Sequence, residues 1–121
     1  FGGDQIRPNI HINDMVNVYR HLVNRDDIPS GCYNAGFENI SIFDIAEMVA
    51  SKVPAEIIVS KSNDPRTYKL NSDKLLATGF QKGFMVSDAI NDMVTRYESG
   101  ELVERDEWYT IRWMKSLKLK F

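Results

Sequence analysis

From Ser41 to Pro54 the chain reads S-I-F-D-I-A-E-M-V-A-S-K-V-P, which strongly favours a capped helix. The Ser41 hydroxyl is placed to accept the N–H of Asp44, a capping box with Asp in place of the usual Glu. Ile40 and Ile45 are spaced as a hydrophobic staple. Ile42, Ile45, Ala46, Val49 and Val53 fall on one side of the helix, and Pro54 cannot continue it. A helix with one apolar side has to be covered by another layer, so the chain must build at least two.

Similar punctuation recurs along the sequence. Ile10 and Ile12 alternate with Asn9 and His11, predicting a short half-buried strand with Pro8 at its start. Asn13 and Asp14 offer caps to a helix whose apolar stripe is Met15, Tyr19, Leu22 and Val23. Cys32, Tyr33 and Asn34 predict a second strand leading into Gly36. The β-branched run Glu56-Ile57-Ile58-Val59 predicts a third, followed by a polar turn from Ser60 to Pro65. Ser72 is read as the cap of a short helix ending at Gly79. Ser87 is read as the cap of a longer one that ends at Gly100, with Ala89, Ile90, Met93, Val94 and Tyr97 inward. Asp106 to Leu117, carrying Trp108, Ile111 and Trp113, predicts a last helix. The order is an α/β pattern of few short strands and several helices, with little hairpin content.

Bulk properties narrow the function classes. Net charge is −2, from 15 basic and 17 acidic residues, without a basic run, so nucleic acid is not an expected partner. No stretch approaches the ~18 apolar residues of a membrane helix. One cysteine, Cys32, permits no internal disulfide and suits a reducing cytoplasm; beside Tyr33 it reads as a small buried thiol. Gly2-Gly3-Asp4 reads as a turn with only Phe1 before it, and there is no initiator Met. Both lead to the expectation that the chain was cut from something longer.

The sequence contains no phosphate loop, no G-x-G-x-x-G turn, no zinc spacing and no G-x-S-x-G. Two arginines stand out. Arg7 precedes a strand that leads into a helix, and Arg66 follows Asp64-Pro65 in a loop. A guanidinium is a planar fork that pairs two oxygens at once, so two from distant segments suit a pyrophosphate. His11 is read as a hydrogen-bonded structural residue, with Asp14 as its partner, in preference to a base. Trp108 and Trp113 read as packing residues.

Residues Gly3 to Asp14 resemble the G-x-x-x-R-x-[FYW]-[IV]-H-V-x-D segment of extended short-chain dehydrogenases, the NAD-dependent nucleotide-sugar epimerases, dehydratases and decarboxylases. Asn9 departs from the usual aromatic. Tyr33-Asn34-Ala35-Gly36 resembles the family's Y-N-[LIVA]-G, and Ile40-Ser41-Ile42 its polar-capped helix start. Asp64-Pro65-Arg66-Thr67-Tyr68, with Lys74-Leu75 and Gly79-Phe80, resembles D-x-R-x-Y…K-[IL]…L-G-[WF]. Ser87-Asp88-Ala89-Ile90 resembles the next helix start. The resemblance covers roughly residues 1–100 and departs at Gln81-Lys82-Gly83-Phe84, where the family usually has a proline.

The resemblance implies the carboxy-terminal, substrate-side portion of a Rossmann-type enzyme, with residues 101–121 a helical tail outside the match. Arg7 and Arg66 would contact the diphosphate of a nucleotide sugar from two sides. His11 and Asp14 would hold the strand-helix turn, Asn34 would sit on a strand returning to the cofactor sheet, and Tyr68 would brace the Arg66 loop. NAD would be bound by a portion outside these residues, and the parent would be a cytoplasmic homodimer. The family's cofactor turn and its Tyr-x-x-x-Lys are absent here, so no catalytic residue is assigned. The alternative is a free-standing binding module whose contact surface is the Asp106–Leu117 helix.

Overall fold

The computed structural model describes residues 2–61 and 66–117. Among these, five α-helices accompany a two-stranded antiparallel sheet, a mixed α/β arrangement. β1 is Ile6–Asn9 and α1 is Ile12–Val23; β2 is Glu38–Ser41 and α2 is Ile42–Ala50. α3 (Asp73–Leu76) and α4 (Val86–Glu98) follow, then a 3-10 turn (Asp106–Trp108) and α5 (Thr110–Ser116).

The strands differ from the sequence expectation. β1 starts two residues before the Pro8 that the alternation puts at its start and ends at Asn9, because His11 is extended and caps α1, which begins at Ile12. β2 occupies the residues read as the approach to a cap, and Ser41 both ends the strand and opens α2. Cys32–Asn34 and Glu56–Val59 pair with no strand among the described residues. A β-branched run favours extended backbone, but only a partner makes it a ladder. Cys32 is also exposed, not buried; its carbonyl takes the Lys74 ammonium at 2.9 Å.

β1 and β2 run antiparallel, from Ile6↔Ser41 to Asn9↔Glu38. The Gln5 and Asn9 carbonyls face β2 and accept the Ile42 and Phe37 N–H groups. Ile6 turns the other way, its N–H to Thr67 Oγ1 at 3.3 Å and its carbonyl to the Tyr68 N–H at 3.4 Å. Pro8 shares that side of the alternation, so its missing N–H breaks no bond to β2. Residues 66–68 therefore lie as a strap along the outer edge of β1.

Helix ends follow local chemistry in part. Ser41 Oγ accepts the Asp44 N–H at 3.0 Å, as the spacing predicts. α2 stops at Ala50, before Val53. α4 is capped from Met85 instead of Ser87: the Asp88 carboxylate reaches back to the Met85 N–H at 2.7 Å. Gly79 and Gly100 take positive φ, 88° and 75°, where the two helical segments end.

Leu75, Val18 and Phe80 form the buried cluster, with Ile10, Leu22, Tyr33, Ala35 and Phe37 packed against it. Phe37 and Phe80 stack at 5.7 Å. Full burial of each such side chain contributes about 1.5–3 kcal/mol. α1 turns inward only part of the stripe its apolar residues suggest, with Leu22 packed on the cluster. His11, Asp14 and Val18 are buried, whereas Tyr19 and Val23 are 65 % and 79 % exposed. The inward polar groups have partners on other segments, which offsets the cost of removing them from water.

Candidate functional site

Of the residues singled out in the sequence, Arg7, Arg66 and Tyr68 meet where β1 runs beside the 66–68 strap, while His11 and Asp14 stand at the start of α1 against residues 83–92. Arg7 Nη1 donates to the Ile6 carbonyl at 2.9 Å and, 59 positions along the chain, to the Arg66 carbonyl at 2.6 Å. Its guanidinium lies 4.9 Å from the centre of the Tyr68 ring. Tyr68 thus rests on Arg7 while its backbone bonds Ile6. The Arg66 side chain is exposed. Two motif segments far apart in sequence meet, and the contact runs from the Arg7 guanidinium to the Arg66 backbone. Asp64 and Pro65, the first residues of the second motif, lie outside the described residues.

His11 is a buried cap. Its Nδ1 accepts the Asn13 N–H at 3.1 Å, which assigns the proton of the neutral ring to Nε2. Nε2 lies 3.5 Å from Asp92 Oδ2, and the ring stacks on Phe84 at 4.6 Å. With both nitrogens engaged and the ring covered, His11 is poorly placed to exchange protons with a ligand.

Asp14 does not pair with His11. It is fully buried, and its carboxylate takes the Gly83 N–H at 3.0 and 3.2 Å and the Phe84 N–H at 3.1 Å. The segment it grips is the one that departs from the family resemblance. A proline at either position would remove a donor that Asp14 uses.

Asn34 is exposed and lies on no strand; its Nδ2 donates to the Asn71 carbonyl at 3.2 Å. The reading of a strand returning to a larger sheet is corrected to a side-chain tie between two irregular segments.

Three supports escaped the sequence reading. Ser72, read as a cap, turns its hydroxyl to Gly36, accepting the N–H at 3.0 Å and donating to the carbonyl at 2.9 Å. Asn39 does the same for Leu70 with its amide, at 2.9 and 3.0 Å. Glu38 Oε2 accepts the Val86 N–H at 2.6 Å, tying β2 to α4. No local pattern announces these bonds, because each partner is more than 30 positions away.

Past Tyr68 the chain borders an open cleft of about 440 Å³, lined by Phe37, Asn39, Lys69, Leu70 and Lys82 among others. That volume is within the range of small-ligand sites. Among the described residues no three His, Cys, Asp or Glu side chains are grouped to hold a metal ion. No helix there is long and apolar enough to cross a membrane.

Elsewhere the clearest electrostatic feature is Arg25 bound bidentately to Asp27, at 2.6 and 2.5 Å. The hydrogen bonds from Arg25 lower the Asp27 carboxyl from 3.8 to about 2 and raise the guanidinium in turn. Both groups are at the surface, and they form no part of the cleft.

Comparison with models of known families, with curated proteins and with solved structures returns no significant match to this chain.

Proposed function

We propose that this chain is the nucleotide-sugar-binding portion of an NAD-dependent epimerase or dehydratase, the carboxy-terminal part of a Rossmann-type extended short-chain dehydrogenase. The observation that carries the reading is the meeting of the Arg7 and Arg66 segments, with Tyr68 against the Arg7 guanidinium. These are the motif positions that the resemblance assigns to the diphosphate. The neighbouring cleft, with Lys69 and Lys82 against the single carboxylate of Asp73 on its walls, adds a net positive charge beside that strap. The chemistry of the chain's own residues is therefore binding and orientation of a phosphorylated ligand.

NAD does not fit the residues present. β1 passes through Ile10 and His11 into α1, and β2 enters α2 directly at Ile42. Neither junction is a glycine-rich turn that brings backbone N–H groups to a pyrophosphate. No Tyr-x-x-x-Lys occurs in the sequence. In this reading cofactor binding and catalysis belong to another portion of a cytoplasmic homodimer.

Calorimetric titration of the chain with uridine, guanosine and thymidine diphosphates, uridine monophosphate and NAD tests this. The expected result is saturable binding of at least one diphosphate, weaker binding of the monophosphate and none of NAD. Arg66→Ala should weaken the diphosphate about tenfold or more, as for a charge-assisted hydrogen bond of about 1.5–3 kcal/mol. Failure of every diphosphate to bind, or NAD binding more tightly than all of them, would contradict the proposal.

A further inference from the structure

Three long-range side-chain ties hold the walls of the 440 Å³ cleft. The Asn39 amide takes both backbone groups of Leu70, and Lys69 stands next to Leu70. The buried Ser72 hydroxyl takes both backbone groups of Gly36, the residue before Phe37. The buried Asp14 carboxylate takes the N–H groups of Gly83 and Phe84, directly after Lys82. Gly36, Phe37, Lys69, Leu70 and Lys82 all line the cleft. Its backbone is therefore set in advance by groups on other segments, which reduces the ordering a ligand has to impose.

These walls carry charge that the fold does not neutralise. Among the described residues, neither the Lys69 nor the Lys82 ammonium is paired with a carboxylate. Asp73, the one acid lining the cleft, has its Oδ2 taken by the Asn71 amide at 2.8 Å. A lysine has no planar fork for a flat carboxylate; it is a compact point charge and suits a tetrahedral phosphate approached from two sides. Two ammonium groups match the charge of about −1.5 to −2 that a phosphate monoester carries near neutrality. Phe37, Leu70 and Leu76 give the same cleft an apolar wall for the esterified body. Lys82 belongs to the segment where the family resemblance breaks down, so that resemblance assigns it no role.

We infer that this cleft is a site for a phosphate monoester, its dianion held by Lys69 and Lys82 and its organic body against Phe37, Leu70 and Leu76. Asp14 acts on it as a positioning residue, through the backbone that follows Lys82. The site is separate from the diphosphate contacts assigned to Arg7 and Arg66, and it stands whether or not that assignment holds.

Amide chemical-shift titration with inorganic phosphate and with phenyl phosphate tests the site, in the wild type and in Lys69→Gln, Lys82→Gln, Asp73→Asn and Arg66→Ala. Both lysines are exposed, so their variants should melt like the wild type. Both probes should shift the amides around Phe37, Leu70 and Gly83, and phenyl phosphate should bind about fivefold or more tighter through the apolar wall. Each lysine variant should weaken phenyl phosphate about fivefold, the upper end for an exposed charge pair. Asp73→Asn should tighten it by removing a like charge, and Arg66→Ala should leave it unchanged. Absence of saturable shifts, or shifts indifferent to both lysine substitutions, would overturn the site. Inorganic phosphate binding as tightly as the ester would overturn the monoester and leave a site for the free ion. Loss of binding in Arg66→Ala alone would move the phosphate to the strap, overturning the cleft while sparing the diphosphate reading.

Discussion

The Asp14 carboxylate holds the backbone of Gly83 from 69 positions away, through Oδ1 at 3.0 Å and Oδ2 at 3.2 Å. It extends the grip to the Phe84 N–H, and Phe84 in turn stacks on the His11 ring. One buried side chain therefore fixes the turn before α4 to the first turn of α1. Removing it would strand two N–H donors. Asp14→Ala should destabilise the chain by roughly 3 kcal/mol, from lost charge-assisted bonds and unsatisfied donors. Asp14→Asn keeps one acceptor oxygen and should cost about half of that. Denaturant unfolding followed by circular dichroism measures both, and an Asp14→Ala variant of wild-type stability would show the grip to be idle.

Gly36 and Ser72 form the second long-range joint. The buried Ser72 hydroxyl serves both backbone groups of Gly36. A Cβ on Gly36 would come within 3.1 Å of Leu70 Cδ1 and 3.2 Å of Pro8 Cβ. Ser72→Ala should cost about 1–3 kcal/mol by leaving a buried donor and acceptor unmatched. Gly36→Ala should cost a similar ~1–3 kcal/mol by crowding β1 against the 70s segment. The two joints touch different elements, so melting of the Ser72→Ala/Asp14→Ala double variant should show near-additive losses.

The Arg25–Asp27 pair sets a pH dependence at the acid end. Hydrogen bonding from Arg25 puts the folded Asp27 value near about 2, below its ordinary 3.8. A depressed carboxylate favours the fold once pH exceeds the unfolded value, and that contribution is lost as pH falls through the folded one. The window is therefore between 3.8 and about 2, and near neutrality the pair's contribution does not vary with pH. Titration of the Asp27 carboxyl carbon by NMR should show the low midpoint, and Arg25→Ala should return it toward 3.8. An unchanged midpoint in the variant would remove Arg25 as the cause.

The features legible in the sequence are those whose cause lies within a few residues. Ser41 caps α2 because Asp44 is three positions on, and Gly79 and Gly100 stop helical segments through their own φ. β2 was not legible as a strand, since Glu38–Ser41 becomes one only against Ile6–Asn9. The inward side of α1 was misread because apolar spacing placed Tyr19 and Val23 inside. The helix instead buries His11 and Asp14, whose partners Asp92, Gly83 and Phe84 are distant in sequence. The sequence reading set Arg7 and Arg66 on two sides of a diphosphate; that the Arg7 fork meets a backbone carbonyl of the other segment was not legible in it.

Amide chemical-shift mapping during a titration with uridine diphosphate most directly tests whether the Arg7–Arg66 strap binds a nucleotide diphosphate. The account predicts saturable shifts at residues 6, 7 and 66–70, abolished or much weakened in Arg66→Ala, with the amides of α5 unmoved. Shifts confined to α5, or persisting unchanged in Arg66→Ala, would contradict it.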